Sequence, residues 1–175
     1  MVSQAIRAGG CTCSVIRTFW RTDFELGART ASATLRRLLG GTELQDYYSV
    51  ALVTLVAGLV CFGMALTVAR AHSKTGILAP AMTGDAYLER CIRAHINTLE
   101  WMLIFLPALW LFAVYWSAAW AAIIGAAWVL GRILYFLGYI AAPQKRFPGF
   151  FIQLIAVLVL SLGALGRVVY LIAVT

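Results

Sequence analysis

The sequence predicts an all-α integral membrane protein, a bundle of four transmembrane helices. Of its 175 residues, 62% are apolar and 12% are charged, whereas soluble domains have about 45–50% apolar and about 25% charged residues. A soluble domain of this length cannot bury so much apolar surface, so most of that surface must contact lipid. The composition therefore excludes a soluble enzyme, a disordered chain and a disulfide-rich secreted module.

Charge-free stretches locate the helices. Residues 47–69 carry no charge and are long enough, at 23 residues, for one transmembrane helix. Residues 101–131 are also charge-free, but as one helix these 31 residues would measure about 46 Å, more than the roughly 30 Å apolar core of a bilayer. We therefore expect a turn at 114–117, where tyrosine and tryptophan favour the membrane interface. The remaining helices are then expected at about 85–113, 118–140 and 148–174.

Four helices place both chain termini on one side of the membrane and the loops at 71–84 and 141–148 on the other. Basic residues lie on or near the loop side, and they are Arg70, Lys74, Arg90, Arg93, Lys145 and Arg146. Because loops rich in lysine and arginine stay in the cytoplasm, we expect the loop side to be cytoplasmic. The membrane would be a bacterial inner membrane or the endoplasmic reticulum.

Residues 1–46 differ from the rest of the chain. They contain six arginines and scattered apolar residues, without the apolar stretch of about 7–15 residues that marks a secretory signal. We interpret residues 1–46 as a basic, weakly ordered N-terminal extension and residues 47–175 as the four-helix membrane domain.

The sequence does not indicate nucleic acid or metal as a partner. The formal charge is +7, but the basic residues are not clustered with aromatic residues on a water-facing element. The four cysteines lack the spacing and the neighbouring ligands of a zinc site.

Ionisable side chains lie inside the second predicted helix. Each costs about 2.5–3.5 kcal/mol or more within a membrane, so such residues are candidates for function. Arg93, Asn97 and Glu100 follow one another at i, i+4 and i+7, which places them within about 60° of each other on one helix face. Glu89 and Arg90 extend this polar stripe towards the loop side.

A second polar stripe lies on the third predicted helix, where Arg132, Tyr135 and Tyr139 share one face. Both stripes lead towards the basic loop that carries Lys145 and Arg146. The two stripes together predict a polar site near the cytoplasmic end of the bundle.

Two interpretations of these stripes remain open. In the first, Glu100 pairs with Arg132 across two helices and the stripes form a buried structural network. In the second, the stripes bind a ligand. Downstream of residue 47 there are three acids against eight bases, so most guanidinium groups lack an acidic partner within the chain. This surplus favours an anionic ligand with several carboxylates.

Three motifs follow one another along the chain, RAHINTLE at 93–100, GRILYFLGY at 131–139 and KRFPGF at 145–150. Together they resemble the MAPEG superfamily, the membrane-associated proteins of eicosanoid and glutathione metabolism. The resemblance covers about residues 47–175 and is nearest to the microsomal glutathione S-transferases of the third type. It implies a homotrimer that binds glutathione, its co-substrate, between neighbouring subunits. The second substrate would be a hydrophobic electrophile or a lipid hydroperoxide, as in transferase or peroxidase reactions of detoxification.

The resemblance also implies roles for individual residues. It assigns glutathione binding to six residues, which are Arg70, Arg93, Asn97, Glu100, Tyr135 and Tyr139. Arg146 matches the catalytic arginine that activates the thiol, while Arg90 and Arg132 match supporting positions. Trp101 departs from the pattern, since the leukotriene-forming member of the family has a tyrosine there. This difference counts against leukotriene synthesis rather than against a general transferase.

Two alternatives belong to other functional classes. Some members of the superfamily bind lipid without processing it, so a non-catalytic lipid-binding membrane scaffold is one alternative. A transporter or channel subunit is the other, because buried charges also mark ion paths. A path would need polar residues across the whole membrane, but residues 101–116 contain no ionisable group other than Tyr115. A site open to one side of the membrane is therefore preferred.

Overall fold

The computed structural model describes residues 47–174, and within this range the chain is a bundle of four long helices. In chain order these are α1 Tyr48–Thr75, α2 Ala86–Tyr115, α3 Ala118–Ala141 and α4 Phe147–Val174, with a 3-10 helix at Pro143–Arg146. The bundle includes four helical segments with the length and apolar composition to cross a membrane. The predicted all-α membrane bundle is confirmed, and the extension predicted for residues 1–46 lies outside the described residues.

Helix α1 is longer than predicted. The charge-free stretch ends at residue 69, but α1 continues to Thr75 and is capped by Gly76. Gly76 has a φ of 71°, a left-handed conformation suited to glycine, and its amide donates to the His72 carbonyl oxygen at 3.1 Å. Hydropathy marks only the apolar part of a helix. The helix itself continues past that part for as long as its backbone hydrogen bonds are satisfied. Arg70 therefore lies within α1 rather than at its end.

The turn between α2 and α3 lies where the sequence predicts it, at Trp116 and Ser117. The Trp116 ring stacks on Phe112 with a centroid separation of 6.0 Å. Its indole Nε1 donates to the carbonyl oxygen of Gly163 on α4 at 2.8 Å. This turn is thus fixed by a tertiary contact as well as by the preference of tryptophan for the membrane interface.

Helix α2 begins with a side-chain cap. The carboxylate of Asp85 accepts hydrogen bonds from the amides of Tyr87 at 2.8 Å and Leu88 at 2.9 Å. These are two of the amides that a helix N-terminus leaves without an intrahelical partner. The cap therefore sets where α2 starts.

Replacing Asp85 with alanine should destabilise the bundle by about 1 kcal/mol, because both amides lose their acceptor. Thermal unfolding of the detergent-purified protein would measure this loss. Asp85→Asn is the matched control, since asparagine caps a helix almost as well. Equal losses in the two variants would contradict the cap as the cause.

Close backbone contact holds α4 against α3. A Cβ atom added at Gly149 would lie 2.2 Å from the Tyr135 amide nitrogen and 2.6 Å from the Gly131 carbonyl oxygen. A Cβ at Gly138 would lie 2.3 Å from the Lys145 carbonyl oxygen. These glycines allow the 3-10 helix and the start of α4 to fold back onto α3. That approach brings Arg146 beside the tyrosines of α3.

The core away from the loops is apolar and aromatic. Phe105 of α2 and Trp128 of α3 stack with their centroids 3.8 Å apart and their planes 4° apart. Leucines such as Leu59, Leu103 and Leu130 are exposed on the outside of the bundle, where a bilayer supplies their apolar surroundings. Among the described residues, those that are both polar and fully buried are Thr98, Arg132 and Gln153.

Candidate functional site

A cavity of about 270 Å³ opens among α2, α3, the 3-10 helix and the start of α4. Its lining combines basic, amide, phenolic and aromatic side chains, and consists of Arg93, Asn97, Tyr135, Tyr139, Arg146, Phe147 and Phe150. The first five of these are residues that the sequence predicts for the site. Three separate motifs of the sequence therefore meet at one cavity.

Helical spacing explains why these side chains converge. Arg93 and Asn97 are one turn apart on α2, and Tyr135 and Tyr139 are one turn apart on α3. The two tyrosine rings stack with a centroid separation of 5.7 Å. The Arg146 guanidinium lies over the Tyr139 ring, 5.3 Å from its centroid, an arrangement that holds a cation against an aromatic face. Among the residues that the structure describes, two guanidinium groups and no acid line the cavity.

A larger cavity of about 470 Å³ adjoins the first and shares Arg93 and Tyr139 with it. It is also lined by Glu89 and Arg90, on the same stripe of α2. The Arg90 Nε donates to the carbonyl oxygen of Ile140 at 3.0 Å, which ties α2 to the end of α3. Arg90 thus has a structural contact and also faces the space that continues the smaller cavity.

Arg132 lies behind the smaller cavity and is completely buried. Its Nε donates to Thr98 Oγ1 at 3.1 Å and its Nη2 to Asn97 Oδ1 at 3.0 Å, while its Nη1 donates to Gln153 Oε1. The direct pair of Glu100 with Arg132, which belongs to one of the two open interpretations, is not what the structure contains, because the acceptors of Arg132 among the described residues are three neutral groups. The physical reason is the close packing of α4, which brings Gln153 to the guanidinium.

Glu100 and Arg70 lie outside the two cavities described above. Glu100 is exposed and accepts a hydrogen bond from Asn97 Nδ2 at 3.4 Å, so it lies at the edge of the smaller cavity's lining. Arg70 is exposed on α1. His95 contacts Cys61 of α1, with 4.0 Å between Nδ1 and Sγ.

Sequence reasoning missed Gln153, Thr98 and the two phenylalanines of the cavity. Gln153 was detectable, since it is the one amide side chain within the apolar residues 147–174 and a buried amide in a membrane helix needs a partner. A search for ionisable residues does not select it, because glutamine is uncharged. Phe147 and Phe150 carry no comparable signal, because phenylalanine is common throughout membrane helices.

The arrangement suits an anionic group on a ligand, whether a carboxylate or a thiolate. A guanidinium binds a carboxylate through two parallel hydrogen bonds, and a cation beside a thiol stabilises its thiolate form. The phenol and amide groups add hydrogen bonds that orient the ligand.

Comparison with known proteins agrees with the resemblance that the three sequence motifs carry. The model of the MAPEG family matches residues 50–166. An uncharacterized protein of Synechocystis sp. is 43% identical over 120 residues, covering 69% of this chain and 88% of that protein. Human microsomal glutathione S-transferase 2 is 41% identical over 103 residues, covering 58% and 70% of the two chains. Leukotriene C4 synthase of Cavia porcellus is 34% identical over 118 residues, covering 67% and 79%. The chain is therefore a multi-pass membrane protein that belongs to the MAPEG family.

Proposed function

We propose that the protein is a glutathione-dependent membrane transferase. It conjugates glutathione to lipophilic electrophiles or uses glutathione to reduce lipid hydroperoxides. The observation that carries this proposal is the 270 Å³ cavity where Arg93, Arg146, Asn97 and two tyrosines converge. The similarity to proteins named microsomal glutathione S-transferase 2 supports the same conclusion.

The chemistry of glutathione matches the residues available. Glutathione has two carboxylates, one ammonium group and a thiol, so it needs several cations and one acid. Arg93 and Asn97 bind carboxylate or backbone groups, and Glu100 at the edge accepts the ammonium group. Arg70, which lies outside the cavities, contributes from a neighbouring subunit in a homotrimer.

Arg146 supplies the catalytic step by stabilising the thiolate. A free thiol has a pKa of about 8.5 and is only a few per cent ionised at neutral pH. A guanidinium beside the sulfur lowers that pKa and raises the thiolate fraction. The thiolate then forms a carbon–sulfur bond with the electrophile, and the displaced electron pair leaves with the leaving group or takes up a proton.

Reduction of a lipid hydroperoxide uses the same thiolate. The sulfur attacks one oxygen of the O–O bond, which yields the lipid alcohol and the sulfenic acid of glutathione. A second glutathione converts the sulfenic acid to a disulfide and water. Two glutathione molecules are thus oxidised for each hydroperoxide reduced.

The site faces the cytoplasm in this proposal. The cavity lies near the loop end of the bundle, among α2, the 3-10 helix and Arg146, and this end carries the basic loops that the positive-inside rule assigns to the cytoplasm. Glutathione then enters from water, while the lipophilic substrate arrives from the bilayer.

Calorimetric titration of the detergent-purified protein with glutathione tests the proposal. We expect saturable binding by the wild type and a loss of affinity of roughly 10- to 100-fold in Arg93→Ala, because a charge-assisted hydrogen bond contributes about 1.5–3 kcal/mol. Glu100→Ala should weaken binding in the same direction.

Arg167→Ala is the matched control for the titration. Arg167 bonds the carbonyl oxygen of Tyr115 and lies over the Tyr170 ring, near the turn between α2 and α3 at the other end of the bundle. Its removal should leave glutathione affinity unchanged. If the folded wild-type protein binds no glutathione, the proposed function is wrong, and binding of lipid without turnover becomes the function to test.

A further inference from the structure

The buried guanidinium of Arg132 is an anomaly in this bundle. It lies inside a membrane-spanning helix, is completely buried and has three neutral hydrogen-bond acceptors. Buried charges in proteins are ordinarily paired with an opposite charge, because an unpaired one is costly in an apolar medium. Among the described residues, no carboxylate lies within hydrogen-bonding distance of this guanidinium.

The charge of Arg132 acts next to the cavity. Its Nη2 bonds Asn97, which lines the cavity, and its guanidinium lies over the ring of Tyr135, 4.7 Å from the centroid. The side chains of Asn97 and Tyr135 thus form a single layer between the buried cation and the space that a ligand would occupy. Coulomb interactions over such a distance remain substantial where water is excluded.

Gln153 decides whether that charge is compensated. Its Oε1 accepts from Arg132 Nη1, its side chain is completely buried, and its Nε2 has no hydrogen-bond partner. A glutamate would have nearly the same shape, would accept the same hydrogen bond and would form a buried ion pair. The amide supplies the acceptor without the negative charge.

Glu100 does not replace the missing counter-charge. It is exposed, and its hydrogen bond is with Asn97 rather than with Arg132. An exposed carboxylate is screened by water and compensates a buried cation only weakly.

We propose that Gln153 is a positioning residue that keeps Arg132 uncompensated, so that its positive charge is available to an anionic ligand in the cavity. This inference rests on the proposed function and deepens it, since it concerns the preference of the same site for an anion. Gln153 itself does not line the cavity. It acts through Arg132 and Asn97.

The test compares Gln153→Glu with Gln153→Met in the full chain. For each purified variant, thermal unfolding and glutathione affinity are measured together, with the wild type in the same series. Gln153→Glu should retain the stability of the wild type, because the hydrogen bond becomes an ion pair. Its affinity for glutathione should fall by about tenfold or more, because the buried positive charge is neutralised.

Gln153→Met should lose stability but keep most of its affinity for glutathione. It removes the acceptor but leaves the cation uncompensated, so stability should fall while glutathione affinity falls by less than about threefold. If Gln153 is merely structural, affinity follows stability in both variants, and Gln153→Glu binds like the wild type. That result would overturn the inference.

The Thr98→Val variant and the wild type serve as two further controls. Thr98→Val also removes a neutral acceptor of Arg132 with almost no change of shape, so it replaces Gln153→Met if that variant does not fold. Binding by the wild type reports on the proposed function separately. A wild type that binds glutathione, together with a Gln153→Glu variant of equal affinity, refutes the role of Gln153 alone.

Discussion

Replacing Arg146 with glutamine is expected to lower the turnover of glutathione conjugation at neutral pH by roughly 30- to 100-fold. The guanidinium over Tyr139 would no longer stabilise the thiolate, so the pKa of the bound thiol returns towards about 8.5 and only a few per cent is ionised. Affinity for glutathione should fall far less than turnover. Steady-state kinetics with a soluble aromatic electrophile, combined with calorimetry, separates the two quantities.

The pH dependence gives this prediction a second readout. The wild type should reach full activity below the pKa of a free thiol, whereas Arg146→Gln should gain activity as the pH rises towards about 8.5. Lys145→Gln is the matched control, because Lys145 is the neighbouring exposed base and does not line the cavity. Equal losses of affinity and turnover in Arg146→Gln would assign Arg146 to binding rather than to thiol activation.

Replacing Gly149 with alanine should be the most damaging small substitution in the bundle. The added methyl carbon would lie 2.2 Å from the Tyr135 amide nitrogen and 2.6 Å from the Gly131 carbonyl oxygen. Both are backbone atoms of α3, so the helices must separate to relieve the overlap. We expect a destabilisation of about 3 kcal/mol, at the upper end of the usual cost of overpacking, and a further loss of glutathione binding because Arg146 moves with α4.

Gly166→Ala is the control on the same helix, since no atom lies within 4 Å of a Cβ built there. Alanine favours a helix over glycine by up to about 1 kcal/mol, so this variant should be as stable as the wild type or more so. Thermal unfolding in detergent compares the two variants directly. Similar unfolding temperatures for both would contradict the close contact between α3 and α4 as a determinant of stability.

Local sequence patterns predicted most of the fold. The apolar stretch at 47–69, the excess length of 101–131 and the aromatic turn within that second stretch indicated four helices, all of which the structure contains. These predictions succeeded because a lipid environment requires long apolar helices whose backbone bonds are satisfied internally. Hydropathy could not locate the end of α1, because the cap at Gly76 lies beyond the apolar stretch.

Periodicity also predicted which side chains share a face. The spacing of Arg93 and Asn97 on α2, and of Tyr135 and Tyr139 on α3, was sufficient to place each pair on one stripe. The basic residue Arg146 was associated with them by its place in the next loop. The cavity contains all five residues. Glu100, although on the same stripe, lies at its edge because one further turn carries it past the cavity.

The sequence by itself determined the number of helices, their order and the polar faces of α2 and α3, because these depend on hydropathy and on the helical repeat. Only the tertiary structure decided which polar groups meet. The close approach of α4 to α3 at Gly149 brings Gln153, rather than Glu100, to Arg132. This contact depends on how closely the backbones of two different helices approach each other. The spacing of residues within a single helix carries no information about that separation.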